Sequence, residues 1–309
     1  MSKKSMVIAA VVAVALVGAG IGVYFYLDQT VGIKIKDQFE VGDKHIHVVE
    51  VEYEIKITKI SQDGEDTIFT VKYFDSGFEE DKTYAQLESM IYSTILFDGP
   101  GIGYEVRGEE RISTAFGNRD CIVYVRNDGN DQKRIIYVGK NNDVKYKSEE
   151  LLDGVAIYTT TQGRSSLFIE SSDSIALKGA GDIKVGDSVT QMSVMKIIFT
   201  IEGINPSTGD EPVTYDLLVN GELESSLTRD EIIETVFPVL PDEIKDSLEL
   251  VGTERIDTFL GKVECDAYAF TDESTGMTAK YYLCDDIFVT ARSDISKMYW
   301  ERSDLIIKI

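Results

Sequence analysis

The chain has 309 residues and a formal charge of −23, from 31 Lys and Arg against 54 Asp and Glu. That balance argues against nucleic acid and against anionic lipid headgroups as partners, because both need a basic surface. A hydrophobic content of 43% supports a packed core and excludes global disorder, while two His and three Cys leave little material for a multi-ligand zinc site or a His-based triad.

The first predicted element is apolar. Residues 6–27 form 22 positions without a charge. As a helix they reach about 33 Å, enough to cross a hydrocarbon core of about 30 Å. Lys3 and Lys4 place the N-terminus in the cytoplasm, and Tyr24, Phe25 and Tyr26 suit the far interface. The reading is a cytoplasmic tip, 1–5, and a single-pass transmembrane signal anchor, 6–27, that hold the body outside the cell membrane. The rival is a cleaved signal peptide, but the apolar run continues twelve residues past the small residues Ala13-Val14-Ala15. All the acids lie beyond the anchor, so the body carries −25.

The body is a repeat. Val41-Gly42-Asp43 recurs as Val185-Gly186-Asp187, an offset of 144. Gly108, Glu110, Arg111, Ile112, Thr114, Gly117, Cys121 and Tyr124 recur at the same offset as Gly252, Glu254, Arg255, Ile256, Thr258, Gly261, Cys265 and Tyr268. The pattern predicts a β-rich module over 32–166, a Ser/Gly-rich linker over 167–182 and a second module over 183–309.

Within each module, strands are expected at 52–58 and 67–74, and at 196–201 and 213–219, from alternation and apolar content. Thr83-x-x-Gln86 and Thr228-x-x-Glu231 fit capping boxes that open one helix each. Leu87, Met90, Ile91 and Ile95 share one helical face, as do Ile232, Val236 and Leu240, and Pro238 and Pro241 shorten the second helix. The repeated block reads as strand and turn, its paired glycines meeting a need for positive φ. Glu110–Arg111 and Glu254–Arg255 read as solvated or cross-strand ion pairs, with ligand contacts as the alternative. A hairpin follows, turning at Asp128/Gly129 in the first copy and around 273–276 in the second. The expected class is α+β: two tandem antiparallel sheet modules, each with one packed helix, behind a single transmembrane helix.

The block G-x-E-R-I-x-T-x-x-G-x-x-x-C resembles membrane-anchored extracytoplasmic archaeal proteins of unknown function. The order of strands and helix also resembles the LolA-like lipoprotein-carrier half-barrel. That resemblance implies an apolar, lipid-binding cavity between sheet and helix.

Cys265 and Cys284 fall opposite each other in the second hairpin, so a disulfide is expected between them in an exported protein, with two buried thiols as the alternative. Cys121, opposite Ile136 in the first hairpin, is left as a core thiol. His45 and His47 share one face of a strand and are weak candidates for zinc or copper, because no third ligand is apparent and the second copy has Val189 and Gln191. Turns at 63–66 and 128–131 hold acidic oxygens but lack the Glu of a calcium loop. The expectation is a non-enzymatic, single-pass envelope protein, without a cofactor, that binds an envelope protein or a hydrophobic ligand or serves a structural role. The alternatives are a half-barrel carrier and an enzyme using His45 and His47.

Overall fold

A computed structural model describes residues 33–73, 77–129, 131–170, 175–209, 212–237, 248–271, 278–284, 287–293 and 295–308. The first copy runs β1 (Ile33–Ile35), β2 (Lys44–Asp63), β3 (Asp66–Tyr73), β4 (Glu79–Thr83), α1 (Tyr84–Ile95), β5 (Glu105–Thr114), β6 (Gly117–Gly129), β7 (Gln132–Gly139), β8 (Lys145–Leu152), β9 (Val155–Ser165) and β10 (Phe168–Glu170). The second runs β11 (Ile175–Leu177), β12 (Ser188–Asn205), β13 (Thr214–Val219), β14 (Glu222–Thr228), α2 (Arg229–Val236), β15 (Glu249–Thr258), β16 (Gly261–Thr271), β17 (Thr278–Cys284), β18 (Ile287–Ser293), β19 (Ser296–Ser303) and β20 (Ile306–Lys308). The order is the same in both copies, and β2/β12, β5/β15 and β6/β16 each start 144 residues apart.

The α+β expectation is corrected. Strands make up 69% of the structure and helices 8%, so the class is predominantly β rather than sheet modules each defined by a packed helix. Polar segments such as Glu79–Thr83 and Glu222–Thr228, which show no alternation, are strands because backbone pairing to β3 and β13 holds them. The single-pass membrane reading is not carried forward. No helix among the described residues is long and apolar enough to cross a membrane, and 1–5 and 6–27 lie outside those residues. The two helices, of 12 and 8 residues, reach about 18 and 12 Å.

Both capping boxes form: Thr83 and Thr228 accept from Gln86 and Glu231, whose side chains reach back to the cap N–H groups. Each cap contributes about 1 kcal/mol. Leu87, Ile91 and Ile95 are buried on α1, and Ile232 and Val236 on α2. α2 stops two residues before Pro238; Leu240, Pro238 and Pro241 lie outside the described residues.

The repeated block is a turn device. Thr114 and Thr258 donate their hydroxyls to the carbonyls of Gly117 and Gly261, at 2.7 and 2.8 Å, and accept from Phe116 and Leu260. Gly117 and Gly261 sit at φ 89° and 100°, a region where a Cβ is costly. The Arg111–Asp120 and Arg255–Glu264 ion pairs bridge β5 to β6 and β15 to β16. Exposed as they are, each contributes about 0–1 kcal/mol.

The structure forms two compact units that do not follow the sequence copies: Val51–Met195, and a second unit made of residues up to Glu50 together with Lys196–Ile309. By their place along the chain we call these the inner and the outer unit. β2 and β12 each supply residues to both. Each unit is completed by strands from the other copy. In the outer unit β1 pairs with β20, Lys36 N donates to Leu305 O, and Gly42 N donates to Ile201 O. In the inner unit β11 pairs with β10, Lys178 N donates to Leu167 O, and Gly186 N donates to Ile57 O. The exchange is reciprocal, since Ile57 and Ile201 are themselves 144 residues apart.

The repeated Val-Gly-Asp closes these joints. Asp43 accepts from Lys36 Nζ and the Glu40 amide; Asp187 accepts from Lys178 Nζ and the Lys184 amide, all at 2.9–3.1 Å. Burial alone would raise the Asp187 carboxyl, but the Lys184 amide and Lys178 ammonium outweigh it and hold the pKa below its ordinary value.

The segment 167–182, read as a linker, holds β10 and β11. Leu167, Phe168 and Leu177 join Ile183, Val189, Leu87, Ile91 and Ile95 in one buried cluster of the inner unit.

Candidate functional site

In the outer unit, β15 to β19 form an antiparallel meander. The end of β15 and the β18–β19 hairpin line a cleft of about 330 Å³. Its walls include Ile256, Asp257 and Phe259 from the β15 end, Thr290 and Arg292 from β18, and Lys297, Tyr299 and Glu301 from β19. Tyr299 donates to Glu50 at 2.9 Å, and burial, followed by that carboxylate, pushes its phenol up to about 12. Glu301 is paired with Lys196.

Cations gather beside this cleft. Register places Lys280 opposite Arg292 and Arg292 opposite Lys297, a row across three neighbouring strands. Lys280 is bound by Glu254 at 3.1 Å. Arg292 lies over the Tyr282 ring at 5.6 Å and Lys297 over the Tyr299 ring at 4.2 Å. No ion pair joins either of them to a carboxylate among the described residues, although Arg292, after Lys280 and Tyr282, helps hold the Glu254 carboxyl below its ordinary value. The sequence alone does not single out these residues, because they come together only through the register of β17, β18 and β19.

His45 and His47 do lie on one face of β2, with ring centroids 4.4 Å apart. They are buried in the outer unit's core among Phe199, Phe237 and Trp300 rather than at the cleft. His47 Nε2–H donates to Val236 O at 2.8 Å. Neither ring nitrogen of His45 has a partner among the described residues. Burial lowers the pKa of His47 to about 4 and takes that of His45 well below its ordinary value, helped by the neighbouring His47. Among the described residues no group of three His, Cys, Asp or Glu is placed to hold a metal ion.

The disulfide expectation is corrected. The register around the two cysteines is the expected one, with Asp266 opposite Leu283 and Ala267 opposite Tyr282. Cys265 and Cys284 are nonetheless buried thiols with no disulfide between them. The pairing of β16 with β17 ends at Asp266 and Leu283, one position short of the two cysteines. Here both side chains pack as small apolar groups, 1% and 4% exposed. Cys121 is also a buried thiol, its pKa raised by burial to about 11. It faces Gly139 rather than Ile136, because β6 and β7 extend to Gly129 and Gln132 and turn later than Asp128/Gly129. The 273–276 turn lies outside the described residues.

Comparison with known proteins finds no matching family model and no matching curated protein.

Proposed function

We propose that the chain is a non-enzymatic binding protein of the cell envelope, its acidic body outside the cytoplasm, and that the outer unit's cleft is where it binds. The observation that carries this reading is an asymmetry. The two copies share caps, turns and Val-Gly-Asp joints, yet their side chains diverge at the meander that borders the cleft. A duplicated frame with one specialised face suits recognition. Export rests on the sequence of 1–27.

A carrier that holds lipid beneath a helix is less favoured. Leu87, Ile91 and Ile95 are 0% exposed and fill the space under α1 with side chains. The His45–His47 pair serves an enzyme poorly, being buried among aromatic rings with no acid grouped with it among the described residues.

Native mass spectrometry of the full chain, purified gently from the host, tests the reading. A small molecule that co-purifies and is returned unchanged supports it. A bound molecule turned over to product, or a chain free of any adduct in repeated preparations, contradicts it.

A further inference from the structure

We infer that the outer unit's cleft takes a small organic anion, whose carboxylate or phosphate is held by Arg292 and Lys297. The inference rests on the cleft being the binding place and names its ligand class. Like charges directly opposite on neighbouring strands destabilise a sheet. Here three stand in one row, in a chain with 54 acids against 31 bases. Among the described residues Arg292 and Lys297 rest on tyrosine faces rather than in ion pairs, which supports their stems and leaves N–H donors available. A guanidinium and an ammonium side by side match the oxygens of a carboxylate or phosphate.

The inner unit supplies the comparison. Its strands keep the same register, with Val123 opposite Tyr137 where the outer unit has Ala267 opposite Tyr282. Following that register, the equivalent row is Ile135, Glu149 and Thr159, with no cation in it. The basic row therefore belongs to the copy with the cleft and not to the shared frame. Of the two carboxylates lining the cleft among the described residues, Glu301 is neutralised by Lys196; Asp257 stands opposite Lys262. Phe259 and Tyr299 offer apolar surface to the rest of the ligand.

The test is titration of the full chain with phenyl phosphate and benzoate, each against uncharged benzyl alcohol, by calorimetry and by tyrosine and tryptophan fluorescence. The expected result is saturable binding of an anion at least about tenfold tighter than the alcohol, weakening as salt is raised. If only phenyl phosphate binds, the anion is a phosphate; if benzoate binds equally, a carboxylate suffices. Arg292→Gln/Lys297→Gln should lose about tenfold or more in affinity, with a melting temperature equal to or above the parent's, since the substitution relieves repulsion. Equal affinity in parent and variant overturns the inference. So does benzyl alcohol binding as well as the anions, although the cleft then stands as a binding place. No binding of any probe up to roughly 10 mM overturns the anion assignment. The wider binding reading falls only if native mass spectrometry also finds nothing.

Discussion

Acidification from pH 6.5 to 4 is expected to remove about 3 kcal/mol of folding stability through His47 alone, with a further loss through His45. The folded pKa of His47 lies at about 4 against an ordinary 6.5. Between those values the unfolded chain binds a proton that the folded chain refuses, so stability falls as pH falls, at about 1.4 kcal/mol per pH unit. The loss is complete near pH 4. The depressed Asp187 carboxyl acts in a different window: its contribution is present above an ordinary 3.8 and lost below it. Denaturant melts at pH 7, 5.5 and 4.5 check the claim. His45→Phe/His47→Gln should flatten the slope in this interval, Gln keeping a donor for Val236 O. A parallel slope in parent and variant would show that the pair does not titrate against folding. At neutral pH His45→Phe alone should stabilise by about 1–2 kcal/mol. Two buried ring nitrogens without partners among the described residues are replaced by a ring that suits Phe199, Phe237 and Trp300.

The second large effect concerns where the chain can be cut. Val51–Met195 expressed alone should fold as a monomer, because the unit is contiguous and holds its own partners. Residues 33–170, which contain one whole sequence copy from β1 to β10, should not. That fragment lacks β11, so β10 has no partner, and its buried cluster loses Leu177, Ile183 and Val189. At about 2 kcal/mol for each buried aliphatic side chain, the loss is about 6 kcal/mol, comparable to the total stability of a domain. The fragment is expected to stay unfolded or to recover its contacts by exchanging strands with a second fragment. Light scattering with urea melts separates the outcomes. A cooperative, monomeric 33–170 would contradict the cross-copy assignment.

Much of the local structure was legible in the sequence. Thr83 and Thr228 mark both helix starts, because a capping box depends on four adjacent residues. The register of β16 on β17 follows from a hairpin whose halves are close in sequence. The partition into units was not legible. β1 and β11 are both short apolar runs, and nothing in their pattern says which copy's last strand they join. The repeated Val-Gly-Asp was visible, but its role needs Lys36 and Lys178, which lie at different spacings from it. The α+β class gives the two capped helices too much weight, since helices make up 8% of the structure and strands 69%. The cleft's basic row was hidden for a further reason. Lys280, Arg292 and Lys297 come together only through the register of two successive strand pairings.

Each copy's leading strand is held by the other copy's last strand. Amide hydrogen exchange in the full chain and in a chain ending at Ser303 tests it most directly. Removing β20 should expose the amides of Ile33–Ile35 to exchange, while those of Ile175–Leu177, held by β10, stay protected. Unchanged protection at Ile33–Ile35, or loss at Ile175–Leu177 instead, would contradict the exchange and return the chain to two modules in simple sequence order.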